Sequence, residues 1–489
     1  MKTDPPLPAR ILLVNFNAYD QPYPVYPLGL AYIEAALRLD GHVTEIWDVV
    51  PPGESLEQAV VRFQPDFIGL SMRNIDNAQS HNPRSFTLDL LDCVARLRAI
   101  STVPLILGGS GFSIFPEEIF GHSGVDFGIV GEGETAIRRL VRALRGGGEA
   151  LGEIAGLMFR GADGAVVKVA GLNGVAAFSE IPHHDPVRLL AYANEGSPIG
   201  LQTQRGCPLN CCYCTYPLIE GKRSRFRPAG EVAKELARLA EAGLRQVFFV
   251  DSVFNTNNNH VVEVCEAILR ADVKINWECF LRPSNGITRE LLELMQRAGL
   301  NHIEFGSDSL SDPVLRHYGK SFQFEEIRRV SELAGDLKIR HTHFIIFGGP
   351  GETPETMEES IARSATLPKA MFFATIGMRV YPGTPLWQIV TSNRPAEVAG
   401  DYLLEPRFYL EPPMDVAGLH ARLMEVQQST SNWMVGDPPQ AFVETLAKLR
   451  RRRQGRNDNM WDYVELMQRL ASGRQGAIPG RATNPDNKP

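Results

Sequence analysis

No run of about 20 uninterrupted apolar residues occurs in the chain, so no membrane-spanning helix is expected. Met1 to Arg10 is polar and Pro-rich and lacks the hydrophobic region of a secretory signal; a cytoplasmic setting is the expectation. An excess of positive charge is missing too. Lys and Arg number 50 against 57 Asp and Glu, for a net charge of -7, and that balance leaves no electrostatic footprint for nucleic acid. Lys448 to Arg456 is locally basic and reads as a solvated helix end. Cysteine is scarce, at seven in 489 residues, which excludes the disulfide framework of a small secreted protein. Four of the seven nevertheless fall within eight positions, Cys207 to Cys214, and that clustering points to a metal.

What is present is ample material for a folded, multi-domain chain. Hydrophobic residues make up 44% and charged residues 22%, ordinary values for globular proteins, and the length exceeds what one core accommodates. From Arg10 to about Ala143, apolar runs at Ile11–Phe16, His42–Val50, Phe67–Met72, Pro104–Gly108 and Val125–Val130 alternate with helix-length segments. Such a rhythm predicts an α/β, doubly wound (flavodoxin- or Rossmann-like) parallel sheet over residues 1–145, with its ligand beyond the carboxyl ends of the strands. Residues 146–197, with Gly-rich turns and the His183-His184 pair, read as a connector. Residues 198–388 resume the alternation, with candidate strands at Ile199–Gln204, Gln246–Val250, Ile275–Phe280, His302–Phe305, Thr342–Phe347 and Phe373–Val380. Six βα units predict a partial (β/α)6 barrel. A small helical C-terminal region is expected over 389–471, with helices at Ala417–Trp433, Pro439–Arg453 and Trp461–Leu470, followed by a disordered tail over 472–489.

Cys207, Cys211 and Cys214 lie on one loop directly after the first strand of this barrel. Three thiolates can converge on one site, but structural zinc wants four closed ligands and no further Cys or His pair is near in sequence. Three ligands leave a coordination position open, which suits an iron-sulfur cluster that binds a substrate.

The run Gln204-Arg205-Gly206-Cys207-Pro208-Leu209-Asn210-Cys211-Cys212-Tyr213-Cys214 resembles the signature of the radical S-adenosylmethionine superfamily. The resemblance implies a 4Fe-4S cluster held by Cys207, Cys211 and Cys214, whose open iron binds S-adenosylmethionine, with Tyr213 as the aromatic before the last ligand and Cys212 facing away. Later segments resemble the family in order. Asp251 after the second strand is placed at the cofactor's amino end, and Glu304 and Ser307 resemble the ribose-contacting segment. Gly348 and Gly349 resemble the glycine-rich turn near the adenine, and Arg379 to Leu386 resembles the barrel end of cobalamin-dependent members. The match covers about Leu201 to Trp387.

The first domain looks like the cobalamin-binding domain fused to this subclass. Its cofactor contacts are expected at Asn17, Leu28, Ser71, Arg73, Asn74, Gly108, Gly109, Ser110, Gly131, Glu132, Gly133 and Glu134. No histidine occurs in Asn17 to Gly29, and His42 is read as structural, so the resemblance implies a cobalt without a protein histidine on its lower face, as in many relatives. Arg73 stays protonated and cannot ligate the metal. Placed beneath the cobalt it would disfavour a strong lower ligand; it reads equally well as a partner for a cobalamin amide or phosphate.

Together these readings imply a cobalamin-dependent radical enzyme, with C-methylation of an unactivated carbon in a small natural-product or lipid-like substrate through a 5'-deoxyadenosyl radical and methylcobalamin. Glu278, His343 and Tyr381 are the substrate-side candidates; His341 shares the fifth strand with His343, and one of the two is expected to point inward. An external electron donor such as flavodoxin or ferredoxin is the expected partner. The alternatives are a cobalamin-dependent cyclase or ring-rearranging enzyme and a non-enzymatic cobalamin carrier or sensor with a structural metal. A methylthiotransferase is disfavoured because Cys93 is the first domain's only cysteine.

Overall fold

Each of the five apolar runs of the first domain becomes a strand in the computed structural model. The model describes residues 8–21, 23–50, 53–171, 181–367, 369–394, 405–438 and 443–445. Strands β1 (Arg10–Asn15), β2 (Val43–Asp48), β3 (Phe67–Ser71), β4 (Leu105–Gly108) and β5 (Phe127–Ile129) are parallel, in the order β2-β1-β3-β4-β5. That order is flavodoxin-like and places the ligand crevice at the switch point between β1 and β3. Ile11, Leu12, Leu13 and Val14 are all buried, as both faces of such a sheet are covered by helices. His42 accepts a hydrogen bond from the Ala9 amide at 3.1 Å and is structural.

The stretch expected as a connector is only partly one. β6 (Leu157–Arg160) and β7 (Val166–Lys168) form an antiparallel hairpin that extends the first sheet to seven strands. His184 then braces the two halves, its ring bonding Tyr26 at 3.2 Å and Glu235 at 2.9 Å.

The second sheet begins with β8 (Ile199–Leu201). A short antiparallel pair, β9 (Gln204–Arg205) with β10 (Arg225–Phe226), brackets the cysteine loop. The sheet continues with β11 (Gln246–Phe249), β12 (Asn276–Leu281), β13 (Leu300–Asp308), β14 (Arg340–Phe347) and β15 (Ala370–Ile376). The sixth predicted strand stops early because Gly377, at φ +72°, turns the chain. Met378–Arg379 (β16) then pairs antiparallel with Phe408–Tyr409 (β17).

The C-terminal region is not purely helical. Its helix ends at Ser429 rather than Trp433, and Trp433–Val435 (β18) adds in parallel to β15 as a seventh barrel strand, giving the order β18-β15-β14-β13-β12-β11-β8. Trp433, read as the end of a helix, stacks at 5.1 Å on Phe372. Of the expected helix Pro439–Arg453 only 443–445 is described, as helix; Trp461–Leu470 and the tail 472–489 lie outside the described residues.

Strand alternation sorts the barrel side chains. Trp277, Cys279, Ile303, Phe305, Ile345 and Phe347 face the helices and are fully buried. Register places Phe248, Glu278 and His302 together on the other face, followed by Phe280, Glu304 and Thr342.

Candidate functional site

The carboxyl ends of the two sheets face one another across a chamber of about 680 Å³. All twelve cobalamin-contact candidates of the first domain line it, from Asn17 and Leu28 through Ser71, Arg73 and Asn74 to Gly108–Ser110 and Gly131–Glu134. On the far side it is lined by Arg205, Thr215 and Tyr216 of the cysteine-loop region and by Phe248, Phe280, Glu304 and Tyr381.

The first-domain wall is built for a close-fitting ligand. Gly109 adopts φ +105°, and a Cβ there would lie 2.5 Å from the Met72 carbonyl oxygen; only glycine brings this loop tight against the end of β3. The N-terminus of helix Leu28–Leu39 has no side-chain cap, and its first residues Leu28 and Gly29 line the chamber. Arg73 is accessible to solvent although protein surrounds it, as for a side chain reaching into a chamber. Enclosure lowers its pKa, opposed by the Tyr216, Tyr23 and Tyr192 phenols. Arg73 still carries its charge there. These residues fit a large planar ligand with amide and phosphate groups.

Two of the expected contacts also have other partners. Glu134 pairs with Arg205 at 2.6 Å, and Glu132 pairs with both Arg205 and Arg225. They fasten the first domain to β9 and β10, the strands that flank the cysteine loop. The sequence showed acidic residues beside glycines but could not show the arginines that meet them.

The cysteine loop is held by its neighbours. At Gly206, φ is +86°, and a Cβ would come 2.2 Å from the Arg223 carbonyl oxygen. Cys207 donates its amide to Gly221 at 3.0 Å, and the Cys214 amide bonds Cys211 at 3.2 Å. Cys212 does face away, its sulfur 3.9 Å from that of Met378. Burial pushes the Cys214 thiol up to about 12, and Cys211 and Cys207 add to the rise. The three thiols therefore sit within electrostatic reach of one another, yet among the described residues no three His, Cys, Asp or Glu side chains close on a single metal ion. A cluster in which each thiolate holds its own iron fits this donor set, and its positive charge would supply what the thiolates need.

Lys320 is the residue the sequence reading missed. Its ammonium lies 3.5 Å from the Cys211 sulfur and forms a buried ion pair with Asp308, which also accepts from the Tyr213 hydroxyl. Burial opposes its charge, but Asp308 and Cys211 outweigh it and hold Lys320 above the ordinary lysine range. The only sequence hint was a lysine just after the Tyr318-Gly319 turn.

Several candidates lie elsewhere. Asp251 accepts from the Thr203 amide and hydroxyl at 2.7 and 2.6 Å and from the Gln204 amide at 3.0 Å, so it ties down the end of β8. Burial raises its pKa to about 7. His343 does not face the cavity. Residues two apart on a strand share a face, so His341 and His343 both point to the helix layer, bonding Ser331 at 2.7 and 3.4 Å. Ser307 is fully buried and bonds His343 at 2.8 Å. In the Gly348-Gly349 turn, Gly348 donates to Glu352 and Gly349 to the Tyr318 hydroxyl. Glu278 lies on the inner face of β12 but outside the chamber lining, whereas Tyr381 lines the chamber and meets Phe115 edge-on at 6.3 Å.

A B12 binding domain family model matches residues 19–141, and the Radical SAM superfamily model matches residues 201–363. An uncharacterized methyltransferase of Pyrococcus horikoshii is 27% identical over 377 residues, 75% of this chain and 79% of that protein. Tryptophan 2-C-methyltransferase of Streptomyces laurentii is 23% identical over 440 residues, 76% and 73% of the two chains. The fold matches that of the radical S-adenosylmethionine methyltransferase TsrM of Kitasatospora setae, solved with cobalamin and a [4Fe-4S] cluster, at TM-score 0.81 and 22% identity over 96% of this chain and 100% of that one. The chain thus carries a B12 binding domain and a radical SAM superfamily domain, joined in that order around one chamber, the two modules of a cobalamin-dependent radical S-adenosylmethionine enzyme.

Proposed function

We propose that the protein is a C-methyltransferase acting on an unactivated carbon of a small substrate. The observation that carries this reading is the single chamber bounded on one side by the cobalamin-type loops and on the other by the cysteine-loop region. When bound, the cluster with S-adenosylmethionine supplies hydrogen abstraction and the cobalamin supplies the methyl group.

The chain's own residues position these partners. Cys207, Cys211 and Cys214 would hold the cluster, with Lys320 compensating charge at Cys211. Gly108–Ser110, Gly131 and the N-terminus of helix Leu28–Leu39 would receive the corrin and its side groups, and Arg73 would lie against it. The Arg205 and Arg225 pairs with Glu132 and Glu134 hold the two cofactor sites at fixed separation. A reductant of the flavodoxin or ferredoxin kind completes the system.

Anaerobic reconstitution followed by product analysis tests the proposal. S-adenosylhomocysteine formed together with 5'-deoxyadenosine is the expected result. 5'-deoxyadenosine alone would point instead to ring closure or rearrangement, and uptake of zinc with no cofactor cleavage would refute an enzymatic role.

A further inference from the structure

The interior of a parallel barrel is ordinarily filled by layers of Val, Ile and Leu. Here the inner face carries a band of aromatic rings. Phe248 and Phe280 meet at a centroid separation of 4.9 Å, Phe280 and Phe344 at 6.2 Å, and Phe344 and Phe373 at 5.3 Å. The first two pairs are edge-to-face, at interplanar angles of 64° and 67°. Met371 and Met434 pack against the last pair.

The strand register places all of these on one face. Phe344 is opposite Phe373, and Phe373 opposite Met434, while Phe280 lies beside Glu304. Their neighbours of opposite parity, such as Cys279 and Phe372, are completely buried against the helices. Phe280, Phe344 and Phe373 are instead only half-buried, so ring surface remains open to the interior. Phe248 and Phe280 also line the chamber shared with the cofactor loops. The band therefore runs from that chamber along the inside of the barrel.

We infer that the substrate carries a planar aromatic group, inserted into the barrel from the chamber and held between the edges and faces of this phenylalanine band. The inference rests on the proposed function in taking the chamber between the two cofactor sites, which Phe248 and Phe280 line, as the place where the substrate reacts. Tilted rings present positive edges to the negative faces of a flat guest, and thioethers add favourable contacts to aromatic rings. A saturated ring of equal size gains the burial but not these ring contacts, so the site discriminates between the two.

The test is binding, independent of turnover. Indole and, as a saturated comparator, cyclohexanol are titrated calorimetrically into the reconstituted holoenzyme. Indole should bind more tightly than cyclohexanol by about fivefold or more, the size expected for one or two ring contacts. Phe280→Leu and Phe344→Leu, which keep apolar bulk, should each weaken indole about fivefold and leave cyclohexanol unchanged. Phe373→Leu serves as a third variant, and retained cobalamin absorbance and iron content establish that each protein is folded. Equal affinities for the two probes, no binding of either, or indole affinity unaffected in the folded variants would overturn the inference. A protein that binds indole in this pattern yet produces no S-adenosylhomocysteine refutes the methyltransferase reading and leaves this one standing.

Discussion

Removing Asp76 should uncouple the two domains at their most enclosed ionic contact. Asp76 follows β3 of the first sheet and pairs with the Nε of Arg379 on β16 at 2.7 Å, with only 1% and 4% of the two side chains exposed. Arg379 also donates to the carbonyls of Val380 and Arg407 at 2.7 and 3.2 Å, and its guanidinium lies 4.9 Å from the Tyr381 ring centroid. Those partners hold it in place, so Asp76→Leu strands a charge that cannot swing out to water. Breaking a buried pair in this way costs about 3–5 kcal/mol. Adding Arg379→Met removes the stranded charge and should recover most of that loss, since replacing both members of such a pair by apolar groups is often close to neutral. Unfolding in urea is followed by circular dichroism and by cobalamin absorbance, because a chain with two domains need not unfold in a single step. A cost below about 1 kcal/mol for Asp76→Leu, or a double variant as unstable as the sum of the singles, would refute the reasoning.

Gly109→Ala should weaken cobalamin binding by about tenfold or more in an absorbance titration, because the positive φ and the Met72 carbonyl leave no room for a methyl group; unaltered affinity would remove Gly109 from the cradle. Cys211→Ala should abolish the brown colour and iron uptake while cobalamin is retained, since the first domain's fold does not depend on that thiol; retained iron would refute its role as a ligand. Glu352 has its pKa raised by burial to about 8, opposed by the Gly348 and Gly349 amides. A folded-state pKa above the unfolded value means that the native protein binds the extra proton between about pH 4.5 and 8, so stability falls as pH rises through that window. Glu352→Gln keeps the acceptor and should flatten this decline in urea melts across pH 5–9; identical slopes in the two proteins would show that Glu352 does not contribute.

Much of the architecture was readable because its signals are local. The apolar runs of the first domain, the Cys207, Cys211 and Cys214 spacing and the glycines after β4 and β5 all declare themselves within a few residues. What the sequence concealed depends on partners far away in the chain. Lys320 acquires its role only when the Tyr318-Gly319 turn packs against Cys212, and Asp76 meets Arg379 across 303 positions. Asp251 was read as a cofactor contact, because nothing local announces the Thr203 and Gln204 amides, 48 and 47 positions earlier, that its carboxylate accepts from. The His341 and His343 expectation failed for a local reason, because a period of two puts them on the same side. Trp433 was drawn into a helix by its neighbours and is a strand because β15 offers it an edge.

That last strand has a consequence for biosynthesis. β15 is complete at Ile376, but the strand that covers its outer edge arrives only with Trp433–Val435. While the chain emerges from the ribosome, the row of amides and carbonyls along Phe372–Ala374 is exposed until nearly sixty further residues have been made. Products truncated before Trp433 keep that edge bare beside an apolar barrel lining, so they are candidates for strand-to-strand aggregation, whereas chains released just beyond Val435 are able to cap it.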